Sequence, residues 1–183
     1  MSEKIIIVPY DESWPELFQE VGHRLRQALQ EKALRIDHIG STSIPGLAAK
    51  PIIDIQVSVT DIEEVESFKG PLVQAGFVHR SDNPELTKRY FRETPGARRT
   101  HIHVRRAGSW PEQFALLFRD YLRLHPEDCL AYAELKYQLA AMYSKPHERS
   151  LYVEAKEPFI WDVMKKADKW SQEVGWQQGK SDA

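Results

Sequence analysis

The chain has 183 residues, which suits one domain or one domain with a helical appendage. With 42% hydrophobic and 28% charged residues it has the make-up of a globular protein, which argues against a disordered or fibrous chain. A formal charge of -2 gives no global basic field, so dedicated nucleic-acid binding is not expected, while a local basic pocket stays open.

Cys129 is the single cysteine, so no intramolecular disulfide can form, and a reducing compartment is the natural reading. The opening MSEKIIIVPYDE has an apolar run too short for a signal peptide or a membrane span. No later segment comes near the ~18 apolar residues of a spanning helix. A cytoplasmic protein with no membrane partner is expected.

Residues 5–8 form a short apolar run, an edge strand or a packing arm. Ser13-Trp14-Pro15-Glu16 has the pattern of a capping box, and Trp14, Leu17, Phe18, Val21, Leu25 and Leu29 follow at helical spacing. A helix to about Gln30 is predicted. Residues 34–39 alternate as a strand, with Leu34, Ile36 and His38 on one face. Residues 40–50, GSTSIPGLAAK, form a loop of small residues, and residues 52–59, IIDIQVSV, are the strongest strand signal. A helix over 61–75 and a short strand over 77–80 follow. Residues 89–93 and 101–105 flank Pro95-Gly96 as a hairpin.

From Ser109 the pattern turns helical. A second Ser-Trp-Pro-Glu opens a helix to about Leu124, with Trp110, Phe114, Leu117, Phe118 and Tyr121 spaced as core. Pro126 opens another helix through Tyr143, and a last one is predicted over 151–170. Residues 1–106 therefore read as an α/β core and 107–173 as helices packed on it, the two forming one unit. Residues 174–183 read as a disordered tail.

The chemistry concentrates after the first long strand. Gly40 lets the backbone approach a ligand, and the Ser41, Thr42 and Ser43 hydroxyls can cradle a phosphate, with Lys50 adding charge. Asp54 is an acid inside an apolar strand, costly unless paired, metal-bound or at the mouth of a site. Gln56 shares its face, and Ile53, Ile55 and Val57 point the other way. His101 and His103 share a face of a later strand, and His38 lies close to the turn.

A Gly-Ser turn after a strand, with an acid on the next strand, resembles the nucleotidyltransferase superfamily of polymerase-beta-like fold. Gly40 lies fourteen residues before Asp54, close to that superfamily's spacing. DHIGSTSIPGLAAKPIIDI, THIHV, FRDYLRLHP, YAELK and YVEAKEPFI together resemble the GrpB family within it. That family occurs fused to dephospho-CoA kinase in some proteins, and the resemblance runs from about Val8 to Lys169. It implies an α+β fold: a nucleotidyltransferase-like mixed β-sheet flanked by helices, with a C-terminal helical segment.

The superfamily pattern asks for an acid-x-acid pair and a third acid on a further strand. Here Asp54 stands first, Gln56 takes the second place, and His101 and His103 lie on the candidate third strand. A catalytic pair of Asp54 and His103 is expected. A divalent metal, Mg²⁺ or a transition metal, would be held by Asp54, His38, His101 and His103. The alternative is that the histidines make plain polar contacts. Arg89, Arg92, Arg98 and Arg99 on the hairpin can meet phosphate or be solvated, and Arg119-Asp120 can be a structural pair. The resemblance places Lys136 and Lys156 on helices capping the pocket, where related enzymes touch a triphosphate. Nucleotide- or phosphate-binding residues are thus Gly40, Ser41, Thr42, Lys50, Arg89, Arg92, Lys136 and Lys156. The expected partner is a nucleotide or other phosphate-bearing small molecule, which the protein transfers from or only binds. The oligomeric state is not legible.

Overall fold

Alternation along the strands sorts this chain into two faces of one sheet. The computed structural model describes residues 4–183, so the first three residues of the 1–106 unit lie outside the described residues. Strands β1 (Arg35–Ile39), β2 (Ile53–Val59), β3 (Phe77–His79), β4 (Arg89–Glu93) and β5 (Thr100–Arg106) pair in the order β1-β2-β5-β4-β3. Only β2 and β5 run parallel among these neighbours, so the sheet is mixed. Ile53, Ile55 and Val57 share a face with Ile102, Val104 and Phe91. They bury against α1 (Trp14–Leu29) and α2 (Val65–Gln74). Asp54, Gln56 and Ser58 take the opposite face, as the period of two requires.

That second face is covered by helices α3 (Trp110–Leu124), α4 (Pro126–Met142), α5 (Arg149–Ala155) and α6 (Glu157–Val174). Pro158 in the first turn of α6 splits the single helix expected over 151–170 into two. A second apolar cluster joins Leu117, Tyr121, Tyr132, Val163 and Met164 to Ile44 and Leu47 of the 40–50 loop. That loop is therefore packed into the helical half.

Several local expectations change. Neither Ser-Trp-Pro-Glu forms a capping box. Ser13 makes no side-chain cap, and its N–H donates to Asp11 Oδ1 at 2.8 Å. At α3 the acid of the motif, Glu112, turns to the sheet, accepting from Ser58 Oγ at 2.5 Å and Gly108 N at 2.7 Å. Trp110, expected in the core, is 63% exposed because the first residue of α3 points away from the sheet. Residues 5–8 are a packing arm: Val8 bridges Ala49, and Ile5 is buried with Leu139 and Tyr152.

Residues 174–183, expected to be disordered, are held. Gly175 ends α6 in the left-handed conformation. Asp182 and Ala183 then donate backbone N–H groups to Ile36 O, each at 3.1 Å, and Asp182 pairs with Arg119 at 2.8 Å. Among the described residues no helix is long and apolar enough to cross a membrane.

Candidate functional site

The turn after β1 is shaped by Asp54. Gly40 has φ 71°, and a Cβ there would meet Asp54 Oδ2 at 2.8 Å, so only glycine fits. Ser43 Oγ donates to Gly40 O at 2.6 Å, closing the turn Ser41–Ser43. Thr42 Oγ1 donates to Ile52 O at 3.1 Å, so its contact with His38 Nε2 at 3.0 Å takes the proton from the imidazole. Arg123 Nε braces the turn from behind through Ser43 O at 3.0 Å. Thr42 is thus fully engaged and buried, a brace more than a ligand contact.

Asp54 sits where β2 begins, beside β5. Its Oδ1 lies 3.2 Å from His101 Nδ1 and 3.2 Å from His103 Nε2. Register explains the grouping: Asp54 pairs with His101 and Gln56 with His103 in the parallel ladder. Burial raises the Asp54 pKa, but hydrogen bonds from the two imidazoles outweigh it and hold the carboxylate well below its ordinary range. Burial pushes His103 down, against the pull of Asp54. Tyr90 packs against both rings at centroid distances of 5.4 Å. Gln56 donates Nε2–H to Glu112 O at 3.2 Å and is fully buried.

His38 does not join this group, contrary to its expected role as a metal ligand. It pairs with Ile55, so its ring projects to the α1 face and stacks on Phe18 at 4.8 Å. Burial drives its pKa down to about 3, and the ring stays neutral.

Above Asp54 lies a cavity of about 360 Å³. Gly40, Ser41, Lys50, Asp54, His101, His103, Tyr132, Lys136, Tyr152 and Lys156 are among its lining residues. The Lys136 amine is buried with no hydrogen-bond partner, 4.5 Å from the Tyr132 ring centre. Lys156 and Lys50 lie 4.8 and 5.4 Å from the Tyr152 ring. Burial first, and then Lys156, push Lys136 down to about 7 and Lys50 to about 8. Lys156 is pushed to about 8 by burial, with Asp54 opposing. The pocket thus gathers three amines whose charged forms burial disfavours, although the whole chain has no basic excess.

The hairpin arginines mostly turn elsewhere. Arg89 lies on the opposite face from Tyr90 and pairs with Glu63 at 2.7 Å, in a separate cavity. Arg92 shares the site face through its register with His101 but is tied to Glu93 at 3.1 Å. Arg99 pairs with the same Glu93 at 2.9 Å. Tyr152, from the helical half, lines the cavity together with Tyr132, which the sequence does not single out. Tyr132 hydrogen-bonds Ser41, and only its place one turn before Lys136 on a helix hinted at this.

The donor set does not fit Mg²⁺. That ion requires near-octahedral oxygen ligands, and the site offers one carboxylate, two imidazoles and a neutral amide engaged with Glu112.

A five-strand mixed sheet carrying this turn and acid is the nucleotidyltransferase fold. It is shared at a TM-score of 0.54 with a cytoplasmic RNA terminal U-transferase, at 14% identity over 76% of this chain and 44% of that one. A Cid1 poly(U) polymerase bound to MgATP aligns at a TM-score of 0.50, with 12% identity over 71% of this chain and 42% of that one. Likeness at this identity shows the fold alone. The chain belongs to the GrpB family, whose sequence model, described as GrpB protein, matches residues 4–166. The crystal structure of GrpB from Enterococcus faecalis aligns at a TM-score of 0.81 and 36% identity, over 91% of this chain and 99% of that one. UPF0157 protein YqkA of Bacillus subtilis is 38% identical over 91% of this chain and 48% of its own length. A dephospho-CoA kinase of Mycobacterium tuberculosis is 35% identical over 93% of this chain and 47% of its own. The chain thus spans about half the length of these two relatives.

Proposed function

We propose that the cavity binds a nucleoside triphosphate or a related phosphate-bearing ligand, and that the protein transfers a nucleotidyl or phosphoryl group from it to a small acceptor. Lys136 carries the reading: a buried amine without a partner, in one cavity with Lys50, Lys156 and the Gly40-Ser41 turn. Gathering three amines this way is costly until an anion neutralises them. Ser41 and the lysines would hold phosphate, with the catalytic pair Asp54 and His103 at the reacting end of the cavity. A cytoplasmic setting suits the single buried cysteine.

A second reading, binding without transfer, is favoured by the neutral Gln56 where the superfamily pattern asks for a carboxylate. The name of the M. tuberculosis relative adds CoA-like nucleotides to the ligands worth testing.

Calorimetric titration with ATP and dephospho-CoA, beside an assay for released pyrophosphate, tests both. Lys136→Met should weaken binding about tenfold or more, the usual worth of a lost charge-assisted contact. Binding without pyrophosphate release over a panel of acceptors selects the second reading. No affinity for any phosphate ligand sinks both.

A further inference from the structure

The disagreement between this site and Mg²⁺ has a positive side. We infer that Asp54, His101 and His103 bind one borderline transition-series dication of the Zn²⁺ or Co²⁺ type, in preference to Mg²⁺. The inference concerns the same cavity as the proposed function but rests on different residues from the lysines that carry it.

Geometry comes first. The ligand atoms of Asp54, His101 and His103 lie within 4.8 Å of one another. Two of the separations, from Asp54 Oδ1 to His101 Nδ1 and to His103 Nε2, are each 3.2 Å. Zinc-to-ligand bonds of about 2.0–2.1 Å in a tetrahedron set ligand atoms about 3.3 Å apart. Octahedral Mg²⁺ at a similar bond length sets neighbouring ligands about 2.9 Å apart. The two short separations, hydrogen bonds in the absence of an ion, are nearer the tetrahedral edge, and the third lies within 4.8 Å.

Chemistry points the same way. Two nitrogens and one carboxylate oxygen form the three-ligand set that leaves a fourth position open for water or substrate. All three residues line the 360 Å³ cavity that Lys50, Lys136 and Lys156 also line. The rigid ladder between β2 and β5 fixes the trio, and Gly40 leaves room for Asp54 Oδ2. Gln56, which would be the second carboxylate of a Mg²⁺ site, is turned to Glu112.

The test is metal binding by the full chain, stripped with chelator and titrated with Co²⁺ alone. Tetrahedral Co²⁺ absorbs strongly in the visible, so coordination is read directly. One Co²⁺ per chain should bind, be displaced by Zn²⁺, and resist a large excess of Mg²⁺. His101→Asn with His103→Asn should weaken Co²⁺ binding by about a hundredfold or more, with the far-ultraviolet circular dichroism unchanged. Equal affinity for Mg²⁺ and Co²⁺, or a Co²⁺ band that survives the double substitution, overturns the inference. Should the variant fail to fold, anomalous scattering from crystals of the unmodified chain soaked in Co²⁺ decides. Density between Asp54 and the two histidines supports the inference, and its absence there overturns it. Titrating the metal-stripped chain with pyrophosphate keeps the two readings apart. Pyrophosphate binding without metal binding overturns only this inference, and the reverse overturns only the phosphate pocket.

Discussion

Lys136 is held in a place that suits its neutral form. Its ordinary pKa of 10.5 falls to about 7 in the fold, mainly through burial. Below about pH 7 the amine is charged in both folded and unfolded chains, and its burial destabilises the fold. Above about 10.5 it is neutral in both, and the penalty is gone. Between these limits the unfolded chain binds the extra proton, so stability rises with pH. Lys136→Met should therefore be the more stable protein near pH 6, by on the order of a few kcal/mol, with the gap closing towards pH 10. Denaturant titrations of both proteins across that range check it, and a gap that ignores pH would remove the amine's charge as the cause. Much at this scale was legible. An acid in an apolar strand, a glycine before three hydroxyls, and two histidines two residues apart all announced themselves. Lys136 was marked only by the family resemblance, because on helical spacing alone a lysine reads as surface. Its burial depends on α5 and Lys156 lying beside it, which helical spacing does not encode.

At the scale of elements, α3 is fastened to β2 by Glu112. It is fully buried, accepting from Ser58, Gly108 and Gln113 at 2.5, 2.7 and 2.8 Å. Glu112→Ala leaves the Ser58 and Gly108 donors without their acceptor and should cost about 2–4 kcal/mol, read as a lower urea midpoint at unchanged slope. Ser-Trp-Pro-Glu carries a helix-start signal, and the helix does start there, but the glutamate found a stronger use in the sheet. Strand parity shows the same division between what is local and what is not. Arg89 and Arg92 are three apart on one strand, so they must face opposite ways, and alternation alone could have excluded one of them from the pocket. His38 is different: its face relative to Asp54 depends on the β1–β2 register, which pairs it with Ile55 and which no local pattern encodes.

For the whole molecule, the loop of residues 40–50 is the joint. Its first residues shape the cavity, and its Ile44 and Leu47 are buried among α3, α4 and α6. The α/β core and the helices cannot separate without exposing both leucine and isoleucine and dismantling the turn. Unfolding is therefore expected as one transition, with equal calorimetric and van't Hoff enthalpies. Two resolved transitions would make the helices an independent domain.

The segment after α6 has a consequence for how molecules meet one another. β1 is an outer strand, and such a strand offers unpaired backbone groups to any neighbour. Here Ser181 accepts the Ile36 N–H, Asp182 and Ala183 bind the Ile36 carbonyl, and Asp182 accepts the His38 N–H. The other outer strand, β3, is three residues long. The chain thus seals its own rim. Growth of a second sheet on β1 is thereby opposed, and β3 offers a neighbour only three residues on which to pair.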